Sequence, residues 1–369
     1  MRIVQLVNLV TEQSGGIRTA LDHLGAGYAA AGHERHVIRP GVTTEQRPVA
    51  GGSEWVLPGP RVPRSGGYRV LVRRARVRRL LDDLAPDVLE VSDRWTLSWV
   101  AEWARQRGVR SVALVHEHLA QTIAAWPGLG PRPAARVARV LDRRLIESFD
   151  AVVCGSGHSA APFGPRATVV PLGVDLAVFR PTSTPSARGT LHVVVVGRLS
   201  PEKRTDLAVD GVRHLARAGW QVELDVIGDG PLRATLEARA AGLPVRFLGH
   251  LADRDALVAR IAAADIAVAP CPIEAFGLAA LEALACGTPV VGTGGGVTDL
   301  LADAPPMAGR LVAPDPASIA AALGDLGNHR RAVTRRAARA VAERYPWSRS
   351  VEAMLEVLAP DDAPVRATA

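Results

Sequence analysis

The chain has 369 residues, 48% of them hydrophobic and 22% charged. That is too long for one ordinary core and suits two domains of about 150–200 residues. The net charge of +7 admits an anionic partner, but Lys203 is the only lysine among 44 basic residues, so the arginines read mainly as compositional bias. The three cysteines, Cys154, Cys271 and Cys286, are odd in number and lack ligand spacing. That argues against a disulfide framework or a zinc site. No apolar run approaches the roughly 18 residues of a membrane span, and Met1 leads directly into a strand-like run. A cytoplasmic protein is expected, with association at the inner membrane face left open.

Short runs rich in Val and Ile recur at 2–7, 34–38, 87–91, 111–116, 150–154 and 167–170. They do not alternate, as befits parallel strands buried on both faces. Ser14-Gly15-Gly16 follows the first. Residues 41–68 are rich in Gly and Pro and read as irregular. Between 68 and 84, six arginines surround an apolar arc of Val70, Val77, Leu80, Leu81 and Leu84. A surface helix is the plainer reading; nucleic acid and an anionic membrane stay as alternatives. Asp93, Arg94 and Trp95 follow the third run, at the strand edge where clefts form. Trp95, Trp99 and Trp103 keep helical spacing, the usual mark of a core. Gly155-Ser156-Gly157-His158-Ser159-Ala160 spells a dinucleotide-binding G-x-G-x-x-A, which would make the chain a nicotinamide oxidoreductase. Pro162 and Pro165 cut the helix that motif needs.

Phe179 to Ser186 reads as a linker, rich in Pro, Ser and Thr. Beyond it, runs recur at 191–196, 222–227, 245–248, 265–270, 288–292 and 310–313. The fold class is therefore α/β, with two similar halves. After the first run, Gly197-Arg198-Leu199-Ser200-Pro201-Glu202-Lys203 sets a forked and a compact cation at a strand end, a geometry for phosphate oxygens. Gly228-Asp229-Gly230-Pro231 ends the next run, where glycine lets backbone approach a ligand. Pro270-Cys271-Pro272-Ile273-Glu274-Ala275-Phe276-Gly277-Leu278 then leads into an alanine-rich helix carrying Glu282. The N–H groups of Phe276, Gly277 and Leu278 are expected to form an anion site. Glu274 can reach a sugar hydroxyl beside that anion, and Glu282 the hydroxyls of a ribose.

Glu274 and Glu282 form the E-x7-E pattern, and the chain resembles retaining glycosyltransferases of the GT-B fold, the GT4-type or group 1 family. Pro171-Leu172-Gly173-Val174-Asp175 and Phe247-Leu248-Gly249 match its lesser signatures. The resemblance implies two Rossmann-like domains facing each other across a cleft. Residues 1–178 would bind the acceptor, 186–345 the nucleotide sugar, and 346–369 would return as a helix to the first domain and end in a tail. The donor would be a nucleoside diphosphate sugar, GDP-mannose or a UDP-sugar. The acceptor would be a sugar, lipid-linked or small molecule, the product an α-glycoside, with no metal and no nucleic acid required. Arg198 and Lys203 would bind the diphosphate, Glu274 the transferred sugar and Glu282 the ribose. Gly15, Gly16 and Gly228 would offer backbone to the donor. His116 would lie near the transferred sugar, with His118, Asp93, Arg94 and Trp95 as candidates for the acceptor. Asp299 stands where the family often has Glu. Asp253-Arg254-Asp255 spells D-x-D, better explained as first-turn acidity.

Overall fold

The computed structural model describes residues 1–10, 15–62, 67–117, 119–124, 130–182 and 189–359. The chain forms two compact units: Met1–Gly173 with the chain from Trp347, and Val174–Pro346.

The first unit is built on β1 (Arg2–Val7), β2 (Glu34–Gly41), β3 (Glu45–Val49), β4 (Gly52–Pro58), β5 (Val88–Ser92), β6 (Arg110–Val115), β7 (Ala151–Cys154) and β8 (Ala167–Val169). They make one sheet in the order β3-β4-β2-β1-β5-β6-β7-β8. All pairings are parallel except β3 with β4. Its helices are α1 (Gly16–Ala30), α2 (Arg74–Leu84), α3 (Val100–Arg107), α4 (Leu119–Ala124), α5 (Pro131–Ser148) and α6 (Gly157–Ala160). On central β1, Val4 and Leu6 enter one core cluster with Leu89 and Trp103, while Ile3 enters another with Leu24, Tyr28 and Met354. Both faces of the strand are thus covered, which is why its apolar run does not alternate.

The stretch 41–68 contains β3 and β4, which the sequence reading leaves irregular. β4 continues the sheet beside β2, and β3 folds back on it as an exposed edge through a turn at Gly51, φ +76°. Pro48 and the charged residues of β3 suit such an edge and hide the strand from a hydrophobic pattern.

One polar chain crosses the buried centre of this sheet. The Arg35 guanidinium donates to Gln5 (2.7 Å), Gln5 donates to Glu90 (2.9 Å), and the Tyr28 hydroxyl donates to the other Glu90 oxygen (2.9 Å). Burial pushes the Glu90 carboxyl up, against the hydrogen bonds of Gln5 and Tyr28.

The second unit contains β9 (Leu191–Val196), β10 (Val222–Ile227), β11 (Val245–Gly249), β12 (Ile266–Ala269), β13 (Val290–Gly292) and β14 (Gly309–Leu311). The sheet is parallel throughout, in the order β11-β10-β9-β12-β13-β14. Its helices are α7 (Thr205–Arg217), α8 (Arg233–Arg239), α9 (Arg254–Ala263), α10 (Leu278–Ala285), α11 (Val297–Leu301), α12 (Pro316–Gly327) and α13 (Arg331–Ala342). The unit begins earlier than the sequence-read linker. The Val174 N–H donates to the Tyr345 carbonyl (2.9 Å), Phe179 is buried, and its carbonyl accepts from Arg339 (2.8 Å).

After Pro346 the chain enters α14 (Trp347–Leu358), which belongs to the first unit. Trp347 stacks on His23 of α1 with ring centroids 4.6 Å apart. A Cβ on Gly27 would stand 2.2 Å from Val351, so only glycine allows this approach of the two helices. Ser350 donates to the Pro171 carbonyl (2.7 Å) and Arg110 to that of Val357 (2.9 Å).

Candidate active site

In the second unit, the carboxyl ends of β9 and β12 and the start of α10 enclose a pocket of ≈ 550 Å³ including its open mouth. Val196, Gly197, Lys203, Cys271, Glu274 and Gly277 are among its lining residues. Ligands of open parallel sheets bind at such strand ends. Gly228 stands beside Gly197, and any Cβ on it would fall 1.9 Å from the Gly197 carbonyl at a φ of +136°. The glycine there serves close packing of two strand ends.

From Gly197 the chain turns through Arg198 into a 3₁₀ turn, Pro201–Lys203. Arg198 pairs with Glu202 (3.1 Å), which also accepts from the Ser200 hydroxyl (2.5 Å). Lys203 Nζ donates to Glu274 Oε2 at 2.5 Å, joining two elements 71 residues apart. Burial pulls the Lys203 ammonium down, but the Glu274 carboxylate, with Cys271 and Glu202 adding to it, outweighs burial and leaves the ammonium above its ordinary value. Burial pushes the Cys271 thiol up to about 11, which makes it a wall of the pocket and a poor nucleophile.

Glu274 lies on a turn braced from below. The Gly296 N–H donates to the Glu274 carbonyl (2.6 Å), and a Cβ on Gly295 would lie 2.6 Å from the Glu274 nitrogen. The run Gly294-Gly295-Gly296 is what lets two loops touch backbone to backbone. Three consecutive glycines one residue after a strand are the signal that could have shown this.

Gly277, at φ +100°, precedes α10, whose first-turn amides are those of Leu278, Ala279 and Ala280. Leu278 is thus an expected donor that opens the helix, and Gly277 caps it. Phe276 is a buried anchor, edge-on to Tyr345 at 6.4 Å, while Gly277, Ala279 and Ala280 line the pocket. Glu282 sits a turn deeper on α10 and is half-buried. Burial pushes its carboxyl up to about 7, opposed by Arg254.

In the first unit, Gly15 precedes α1 and Gly16 opens it, both exposed. His116 follows β6 and shares a hydrogen bond with the Ser92 hydroxyl (3.1 Å). Burial, then Arg94, lower its imidazole to about 4, so it is neutral at pH 7. Since the unfolded chain protonates first on acidification, His116 contributes stability above pH 6.5 that is lost between 6.5 and about 4. His116→Gln should therefore flatten the fall in urea stability between pH 7 and 5 by on the order of 1 kcal/mol. An unchanged pH slope would refute the buried neutral imidazole.

Asp93 and Arg94, expected at the acceptor, have internal partners. Asp93 accepts from the backbone of Trp95, Thr96 and Leu97 and from Asn8, and so shapes the loop after β5. Arg94 is buried against Asp142 (2.5 Å) and donates to the Glu117 carbonyl (3.3 Å). Trp95 is 37% exposed, its indole N–H 3.4 Å from Glu117. His118 lies outside the described residues.

The rival motifs resolve into local structure. Ser156 and Ser159 form a reciprocal cap on the four-residue α6, so Gly155–Ala160 opens no long helix. Asp253 caps α9 by accepting from Asp255 N–H (3.0 Å). On α2 the apolar arc faces inward, with Val77 and Leu81 in the core, and Arg74 and Arg78 stand 5.9 Å from the Trp99 ring. Among the described residues, no helix is long and apolar enough to cross a membrane, and no group of three His, Cys, Asp or Glu is placed to hold a metal.

Two Rossmann-like α/β units, the second with a pocket at its strand ends lined by Lys203 and Glu274, have the architecture of the GT-B fold. Sucrose-phosphate synthase from Thermosynechococcus elongatus superposes with a TM-score of 0.75 at 19% identity, over 96% of this chain and 98% of that one. Anabaena Alr3699/HepE in complex with UDP gives 0.73 at 21% identity, over 97% and 99%. The glycosyl transferase 4-like domain model matches residues 15–173, and the glycosyl transferases group 1 model matches 190–329. The GDP-mannose-dependent alpha-(1-6)-phosphatidylinositol dimannoside mannosyltransferase of Mycobacterium tuberculosis is 42% identical, over 97% of this chain and 96% of its own. The D-inositol 3-phosphate glycosyltransferase of Geodermatophilus obscurus is 33% identical over 72% of this chain and 64% of its own. The chain belongs to the group 1 (GT4-type) glycosyltransferase family and is an enzyme of that class.

Proposed function

We propose that the chain is a mannosyltransferase that takes mannose from GDP-mannose and delivers it to a hydroxyl of a mannosylated phosphoinositide lipid, with retention at the sugar's C1. The donor and acceptor rest on the 42% identical, full-length relative named for both. The transfer chemistry rests on one geometric observation. Lys203 and Glu274 meet in a strand-end pocket beside the first turn of α10. There a cation and helix amides can neutralise a leaving diphosphate as the C1–O bond breaks, and a carboxylate can face a sugar gaining positive charge. Arg198 adds a second cation, and Glu282 is assigned to the ribose. His116, neutral at pH 7, is assigned as a hydrogen-bond partner and not as an acid.

The deciding experiment supplies the purified chain with GDP-mannose or UDP-glucose and a short-chain phosphatidylinositol mannoside. A hexose-sized mass gain with GDP-mannose alone supports the reading; transfer from UDP-glucose alone overturns the donor. Transfer is also expected to persist in excess EDTA, because Arg198 and Lys203 supply the charge a divalent cation would otherwise bring. Activity lost to EDTA and restored by Mn²⁺ would contradict that assignment.

A further inference from the structure

We infer that Glu274 is a built-in competitor of the donor's diphosphate: by pairing with Lys203 it weakens the site for free nucleoside diphosphate relative to the intact nucleotide sugar, and so expels the product. The inference rests on the proposed placing of the diphosphate at Lys203. Lys203 is the chain's only lysine, and its ammonium is already bound to Glu274 at 2.5 Å. The two side chains keep 31% and 27% of their exposure, so they are partly desolvated and their attraction is less screened than that of a surface pair. The carboxylate has little freedom to withdraw with its backbone, because the turn that carries it is bonded to Gly296 and packed on Gly295. A diphosphate reaching Lys203 must therefore displace Glu274 or face its negative charge at close range.

An intact nucleotide sugar offsets that displacement, since its sugar hydroxyls give the released carboxylate new donors. A free nucleoside diphosphate has no sugar to offer. Once transfer removes the sugar, Glu274 is left facing the diphosphate unpaired and returns to Lys203. Arg198 stands in a similar state, paired with Glu202 at 3.1 Å. Both cations are thus held by carboxylates in the absence of donor, but only Glu274 is placed to gain a new partner from the sugar.

The test is calorimetry of the full chain with GDP and with GDP-mannose, on the parent, Glu274→Gln, Lys203→Ala and the double variant. Glu274→Gln keeps the shape of the turn and removes the charge. It is expected to bind GDP about tenfold more tightly, the scale of one released charge-assisted contact, and to lose preference for GDP-mannose. In the Lys203→Ala background the same substitution should tighten GDP markedly less, because the competition for Lys203 is gone. Product inhibition should deepen in Glu274→Gln by the same factor. Glu274→Gln binding GDP no tighter than the parent, while Lys203→Ala binds it more weakly, overturns the competitor and leaves the donor site standing. Lys203→Ala binding both GDP and UDP as tightly as the parent overturns the donor placing, and the inference with it.

Discussion

Lys203→Ala is expected to lower kcat/KM by about 10²-fold or more, the scale of losing one preorganised electrostatic contact to a developing charge. Its ammonium lines the pocket, fixed at a strand end by a 3₁₀ turn and held above its ordinary pKa, against burial, by Glu274 together with Cys271 and Glu202. Arg198 would remain, but its side chain is 46% exposed and tied to Glu202, so it cannot take over the same position. The loss should appear in donor binding as well as in turnover, because the diphosphate is present in both ground and transition states. Lys203→Arg should rescue poorly, since a planar fork does not fill the place of a compact ammonium. Steady-state kinetics with calorimetry on GDP checks both parts.

Gly296→Ala is expected to be nearly as damaging without removing any functional group. Its backbone, at φ −63°, accepts any residue, so strain in the chain is not the cause. The added methyl would lie 2.4 Å from the Phe276 Cα and 2.6 Å from the Ala275 carbonyl. Real Cβ atoms do not come so close to backbone, so the 274–276 turn must shift. A displacement near 1 Å of a positioned group costs on the order of 10²-fold in rate. Gly130→Ala is the control, because a Cβ there meets nothing within 4 Å. Parent-like activity in Gly296→Ala would mean that the turn's position does not matter to catalysis.

The parallel strands were legible where burial on both faces leaves a nearly continuous apolar run, as in β1 and β9, while β10 alternates, with Glu223 and Asp225 half-buried. β3 was not, because an exposed edge with charges and Pro48 carries no such run, and β4, paired on both sides, has only the short apolar stretch Trp55-Val56-Leu57. Lys203 and Glu274 could each be picked out by type and place. Their pairing could not, because 71 residues separate them and only the fold sets the distance. For Asp93 the residue type was ambiguous: a carboxylate after a strand serves a ligand or the loop's own amides, and here it serves the amides. The positive φ of Gly277 holds it just outside α10, which begins at Leu278, a detail of backbone conformation that the sequence does not carry.

The Arg35–Gln5–Glu90–Tyr28 chain bears on how the first unit finds one arrangement among near neighbours. β1 and β5 are short, parallel and rich in interchangeable aliphatics, and β2 adds Val37 and Ile38, so apolar burial alone discriminates weakly between their alignments. In the observed alignment Gln5 lies opposite Glu90 on one side and Val37 on the other. A slip of β1 by one residue would carry the Gln5 amide to the opposite face of the sheet. Arg35 and Glu90, 4% and 1% exposed, would then be stranded without their bridge. Leaving such charges uncompensated costs several kcal/mol, far more than exchanging one aliphatic contact for another. The network thus acts as a proofreading mark on strand order and alignment, penalising the near-miss folds that a greasy interior would tolerate.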